Sequence, residues 1–218
     1  MAPLPQQGPN LDQPLDDGRL AILAGEMLIH TRAASASYWT LHGIFDRARR
    51  AEKHPDNVGV FSHLQTFLMH ASMISKFIEP LPPSHRDPPG TRELREWRKV
   101  QIGRILTSAD TAALADRDAR NFLEHLDEYL DLWIAPDFGN FPVLVRRCYQ
   151  TRADRDADAP EGFWRGVIVM DDMSFHYDRP DGQRKELPLH AVHAAIEAVD
   201  YDCASFWGRV FNEPELRL

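Results

Sequence analysis

The chain has little cysteine, no long apolar run and no excess of positive charge. Its 218 residues include two cysteines, Cys148 and Cys203. They stand far apart and fit no zinc-ligand spacing, so neither a disulfide framework nor a cysteine metal site is expected. Both read as reduced thiols, which points to a cytoplasmic setting. No stretch approaches the roughly 20 apolar residues that a membrane helix needs, so no membrane partner is expected. The run Met1-Ala2-Pro3-Leu4-Pro5-Gln6-Gln7-Gly8-Pro9 lacks the basic and apolar segments of a secretory signal. It reads as part of a flexible tail over residues 1–15. There is no glycine-rich phosphate loop and no clear metal-ligand cluster, so no cofactor or metal is expected. Net charge is -8. The chain as a whole therefore does not read as a polyanion-binding surface, and contact with RNA would need a local basic patch.

Hydrophobic residues make up 43% and charged residues 27%, the balance of a chain that buries a core. The expected class is mainly α (α+β), with a helical bundle over residues 16–139 and an appendage over 140–218. In the first helix Leu20, Leu23, Met27, His30, Ala34, Tyr38, Leu41 and Phe45 recur at three- and four-residue steps. Asp16 or Asp17 opens it and His54-Pro55 lies just past its end near Lys53. His30 falls on the stripe and reads as a packed side chain. The second helix spans Val58 to Ile78, with Val60, Leu64, Phe67, Ala71, Ile74 and Ile78 inward. His63 and His70 flank Phe67, where they could border a cleft. Lys76 suits the negative pole of this helix, and Pro80, Pro82 and Pro83 stop it. The third helix, Thr91 to Leu106, has Leu94, Trp97, Ile102 and Ile105 or Leu106 on its apolar side. It carries Arg92, Arg95, Arg98, Lys99 and Arg104 against only Glu93 and Glu96. That is the best basic patch in the chain, although taken alone the helix reads first as a solvated face of ion pairs. The fourth helix runs from Thr111 to Trp133. Short turns between four helices predict an up-down bundle.

Beyond Asn140 the periodicity changes. Residues 143–149 and 166–170 read as strands by β-branched and aromatic content. Residues 152–160 read as a polar loop and Asp171-Asp172 as a turn. Residues 173–187 read as an antiparallel hairpin about Arg179-Pro180-Asp181-Gly182. A last helix follows to about Val210, with Val192, Ile196, Val199 and Phe206 inward.

The fourth helix holds Arg120-Asn121-Phe122-Leu123-Glu124-His125. An arginine offers a fixed fork of donors suited to phosphate, and an imidazole titrates near neutrality and can move a proton. Asn121 and His125 share a helix face. Taken alone, the run reads first as Arg120 paired with Glu124 beside a packed His125. The motif resembles that of HEPN domains, in which an arginine and a polar residue precede a histidine late in a helical bundle. The resemblance covers about residues 17–135 as fold and a handful of residues as motif. It implies a metal-independent endoribonuclease acting as a homodimer, with His125 handling the 2′-hydroxyl or leaving-group proton, Arg120 stabilising phosphate charge and Asn121 orienting. Arg92, Arg95, Lys99 and Arg117 would hold the substrate backbone. A toxin or defence effector with an antitoxin or other protein partner is the implied setting. Position 127 is aspartate where many toxin-type members have a tyrosine, so control by tyrosine modification is not expected, and Tyr129 reads as packing. The alternative is a non-catalytic HEPN-like protein that binds a nucleotide or a protein partner.

Overall fold

The computed structural model describes residues 11, 13–80, 82, 84–115, 143–144, 147–158, 163–164, 166–178 and 183–211. Most of them are helical. Helix α1 (Asp17–Ala51) opens on Asp16, whose carboxylate accepts from the Arg19 N–H at 2.8 Å. It ends on Glu52, a non-glycine residue at φ 50, while the Lys53 N–H reaches back to the Ala48 carbonyl at 3.1 Å. Helix α2 (Asn57–Ile78) opens on Asp56, which accepts from the Val58 and Gly59 N–H groups, both at 3.1 Å. Each such cap contributes about 1 kcal/mol.

The predicted stripes are the buried ones. Leu20, Met27, Ala34, Tyr38, Leu41 and Phe45 of α1 are buried, as are Val60, Leu64, Phe67, Ala71 and Ile74 of α2. Burying one such large side chain contributes about 1.5–3 kcal/mol. Helix α3 (Thr91–Gly103) stops three residues before the predicted end. Its Ile102 is buried, but Leu94, expected inward, is 41% exposed. Helix α4 (Ala112–Ala115) is the described start of the predicted fourth helix, and its Ala112 N–H donates to Asp110 at 3.0 Å. The rest of that helix lies outside the described residues.

The C-terminal part holds strands β1 (Val143–Leu144) and β2 (Arg147–Tyr149), helix α5 (Arg152–Asp158), strands β3 (Phe163–Trp164), β4 (Val167–Val169), β5 (Ser174–Asp178) and β6 (Arg184–Pro188), and helix α6 (Leu189–Phe211). The predicted loop at 152–160 is largely α5. Its first turn is held by a reciprocal pair: the Thr151 N–H donates to Asp154 at 2.9 Å, and the Asp154 N–H donates to Thr151 Oγ1 at 3.1 Å. The expected hairpin is present, since β5 and β6 pair antiparallel with Phe175 opposite Leu187. The sheet is mixed rather than antiparallel. Its order is β2-β4-β5-β6, and β2 runs parallel to β4 with Cys148 opposite Ile168. Both central strands, β4 and β5, are buried throughout.

Helix α1 lies between α2 and α6 and packs along both. Val192, Ile196, Val199 and Phe206 of α6 join the same core as α1 and α2, as do Ile168, Phe175 and Tyr177 of the sheet. Gly166, at φ 126, lets the start of β4 approach α2; a Cβ there would lie 3.2 Å from Phe61 and 3.3 Å from Phe175. Asp202 of α6 ties down the turn before α4. It accepts from the Ser108 N–H at 2.8 Å, the Ser108 hydroxyl at 2.7 Å and the Ala109 N–H at 3.1 Å. Cys148 and Cys203 are free and buried, and burial pushes both thiols up to about 12. Among the described residues no helix is long and apolar enough to cross a membrane.

Candidate functional site

Arg120, Asn121, His125 and Arg117 lie outside the described residues. The other three predicted substrate-binding residues, Arg92, Arg95 and Lys99, all lie on α3, and two of them pair with different carboxylates. Arg92 is exposed. Lys99 Nζ pairs with Glu79 at 2.6 Å, and that hydrogen bond raises the lysine pKa. Arg95 Nη1 pairs with Asp87 at 3.1 Å.

Arg95 also lines a cleft of about 250 Å³ between the last turns of α2 and the middle of α3, with Met73, Lys76, Phe77 and Arg98. Helical spacing builds it. Arg95 and Arg98 are three apart on one helix, and Met73, Lys76 and Phe77 are three and four apart on the other. Arg98 Nη2 donates to the Lys76 carbonyl at 3.2 Å and so satisfies an acceptor in the last turn of α2. Its guanidinium carbon stands 5.8 Å from the centre of the Phe77 ring. Its Nε is buried with no hydrogen-bond partner among the described residues. Burial, then the like charge of Arg95, lowers the Arg98 pKa from the ordinary arginine value. The sequence showed Lys76 only as a helix-end cation and Arg98 only as one of five on α3. No local signal paired them, because the prolines after Glu79 mark only where α2 stops.

Beside the cleft, Phe77 packs 6.4 Å from His30 between ring centres. His30 is not simply packed. Its Nδ1 lies 2.9 Å from Nδ1 of His70, so His70 is paired across to α1. Burial, then the charge of His30, lowers the His70 pKa.

A second polar cluster joins α5 to the sheet. Asp172, read from the sequence as part of a turn, accepts from the Ser174 hydroxyl at 2.5 Å and from the Ser174 N–H at 3.1 Å. Ser174 Oγ stands 2.8 Å from His176 Nε2, and Arg155 Nη1 stands 3.3 Å from the same nitrogen. Arg152 bridges two carboxylates, pairing with Asp172 and donating through Nη1 to Glu186 at 3.0 Å. Asp, Ser and His in line suggest nucleophilic chemistry, but burial argues against it. Ser174 is 1% exposed and His176 3%, so neither the hydroxyl nor the imidazole is open to a substrate. Burial lowers the His176 pKa; Arg155 and Arg152 add to that effect, while Glu186 and Asp172 oppose it. The cluster reads as a clamp that holds α5 on the sheet.

Among the described residues no group of three or more histidine, cysteine or acidic side chains could hold a metal ion. No family model, curated protein or solved structure matches the chain.

Proposed function

We propose that the chain is a metal-independent endoribonuclease of HEPN type, built on an up-down four-helix bundle and acting as a homodimer, with a role as a toxin or defence effector. The observation that carries this reading is the run Arg120-Asn121-Phe122-Leu123-Glu124-His125, which follows the most cationic helix of an acidic chain. His125 takes the proton from a ribose 2′-hydroxyl or gives one to the leaving 5′-oxygen. Arg120 stabilises the charge that develops on the phosphate, and Asn121 orients the phosphate or the imidazole. The reaction needs the 2′-hydroxyl, so RNA is cut and DNA is not. The test is cleavage of single-stranded RNA with EDTA present. His125→Ala is expected to lose about 100-fold or more in rate. No cleavage by the wild type, or equal cleavage by both proteins, sinks the proposal.

One observation favours a second reading, a non-catalytic HEPN-like protein that binds a nucleotide or a protein partner such as an antitoxin. The cations in and just after α3 are largely matched by carboxylates: Arg95 by Asp87 at 3.1 Å, Lys99 by Glu79 at 2.6 Å and Arg104 by Asp17 at 3.7 Å. Matched charges bind a long polyanion weakly. Nucleotide or partner binding without turnover would select this reading.

A further inference from the structure

We propose that His30 and His70 form a two-histidine site for a divalent transition-metal ion, copper(II) ahead of zinc, that clips α1 to α2. The site uses neither Arg120 nor His125, so it does not rest on the ribonuclease reading, whose own test is run in EDTA.

His30 Nδ1 and His70 Nδ1 stand 2.9 Å apart with the ring centres 5.2 Å apart, so the two nitrogens face each other between the rings. Both residues are half-buried, so neither is sealed from an ion in solution. Metal bonds of about 2.0–2.1 Å set two imidazole nitrogens about 2.9 Å apart at a right angle, and about 3.3–3.4 Å apart in a tetrahedron. The observed spacing is the right-angled one, the geometry of copper(II) or nickel(II) rather than of zinc. Copper(II) also heads the general order of affinity for nitrogen ligands. Only the ring tilt must change, so that both lone pairs aim at one point beside the line between the nitrogens. The helices hold the spacing itself. Met27, Thr31 and Ala34 around His30 are buried, as are Phe67, Ala71 and Ile74 around His70. Ligands on packed helices are placed more precisely than ligands on loops.

In the hydrogen-bonded pair one Nδ1 carries a proton. A metal needs both lone pairs, so that ring takes the tautomer protonated at Nε2, and a neutral pair stays neutral. Among the described residues no third histidine, cysteine or carboxylate joins the two rings. Water or a small anion therefore completes the coordination.

The test is calorimetric titration of the full chain with the chlorides of copper(II), zinc and magnesium, beside thermal melts. One tight copper ion per chain is expected, bound more tightly than zinc, and no magnesium, which takes oxygen ligands. His30→Ala and His70→Ala should each weaken copper binding about 100-fold, because the second ligand no longer acts within one molecule. His54→Ala, at an exposed histidine past the end of α1, should change it less than about 2-fold. Copper is expected to raise the melting temperature of the wild type but not of the two variants, since the unfolded chain does not hold residues 30 and 70 together. His70→Gln keeps a hydrogen-bonding side chain that is a poor ligand; it should lose copper as His70→Ala does, which separates ligand loss from a folding defect. No tight copper site, or equal binding by wild type and both alanine variants, overturns the proposal. Zinc bound more tightly than copper overturns the right-angled geometry on which it stands.

Discussion

His30 Nδ1 on α1 and His70 Nδ1 on α2 lie 2.9 Å apart, with ring centres 5.2 Å apart. One nitrogen must donate and the other accept, so at least one ring is neutral. Protonating both would place two cations in contact at the α1–α2 interface.

That contact predicts acid sensitivity well above the carboxylate range. An unfolded histidine titrates near 6.5. Burial and then the charge of His30 lower the folded value of His70, and burial also lowers those of His176 and His193. Between the unfolded and folded values the unfolded chain binds more protons, so stability falls as pH drops through about 6.5. The carboxylates of Asp172, Glu186 and Asp202 have lowered pKa values and stay ionised in that range. The urea midpoint is therefore expected to drop between pH 7.5 and 5.5, and His70→Gln to flatten the drop. A midpoint that does not move over this interval would exclude the histidines as its source.

Asp202 is 5% exposed and anchors the 107–109 turn. Burial alone would raise its pKa; hydrogen bonds from Ser108 and from the Ala109 and Thr107 N–H groups outweigh burial and hold it low. Asp202→Ala leaves buried donors without an acceptor and is expected to cost about 2–4 kcal/mol in urea unfolding. The wild-type contribution is present above an unfolded aspartate value of about 3.9 and disappears as pH falls through the folded value. Loss of under about 0.5 kcal/mol would mean that water replaces the carboxylate without penalty.

Two glycines of α1 should respond in opposite directions to alanine. A Cβ on Gly25 would stand 2.6 Å from Trp207 of α6, whereas on Gly43 its nearest neighbour is Arg47 Nη1 at 3.4 Å. Alanine gains about 1 kcal/mol over glycine inside a helix, and overpacking costs about 1–3 kcal/mol. Gly43→Ala is expected to raise the melting temperature. Gly25→Ala should lower it and shift the Trp207 fluorescence as the indole is pushed off α1. Equal stabilisation by both would show that Trp207 swings aside freely.

The helices were legible because their signals are local. Asp16 and Asp56 accept from N–H groups two or three residues away, and the periodicity of Leu20 to Phe45 is a property of one segment. The same holds for the 173–187 hairpin. The α5 helix was missed because its polar, aspartate-rich sequence has no apolar stripe, and none of its residues is buried. Leu94 was misplaced because periodicity finds an apolar side without showing that anything covers it. The candidate cleft was only half legible. Arg95 was chosen for its charge, but Lys76 and Arg98 gained a role only once α2 and α3 were set side by side.

The sequence by itself determined the long helices α1, α2 and α6 and the 173–187 hairpin, and which face of α1 and α2 avoids water. Backbone hydrogen bonds in a helix and alternation in a strand depend on neighbours a few residues away. Tertiary structure alone decided that α6 lies along α1, that β2 pairs parallel with β4, and that His30 meets His70. It also decided that Asp202 reaches Ser108 across 94 residues of chain and that Thr31 reaches Asp200 across 169. Such contacts satisfy buried polar groups with partners brought near only by collapse around the common core, and no local pattern encodes them.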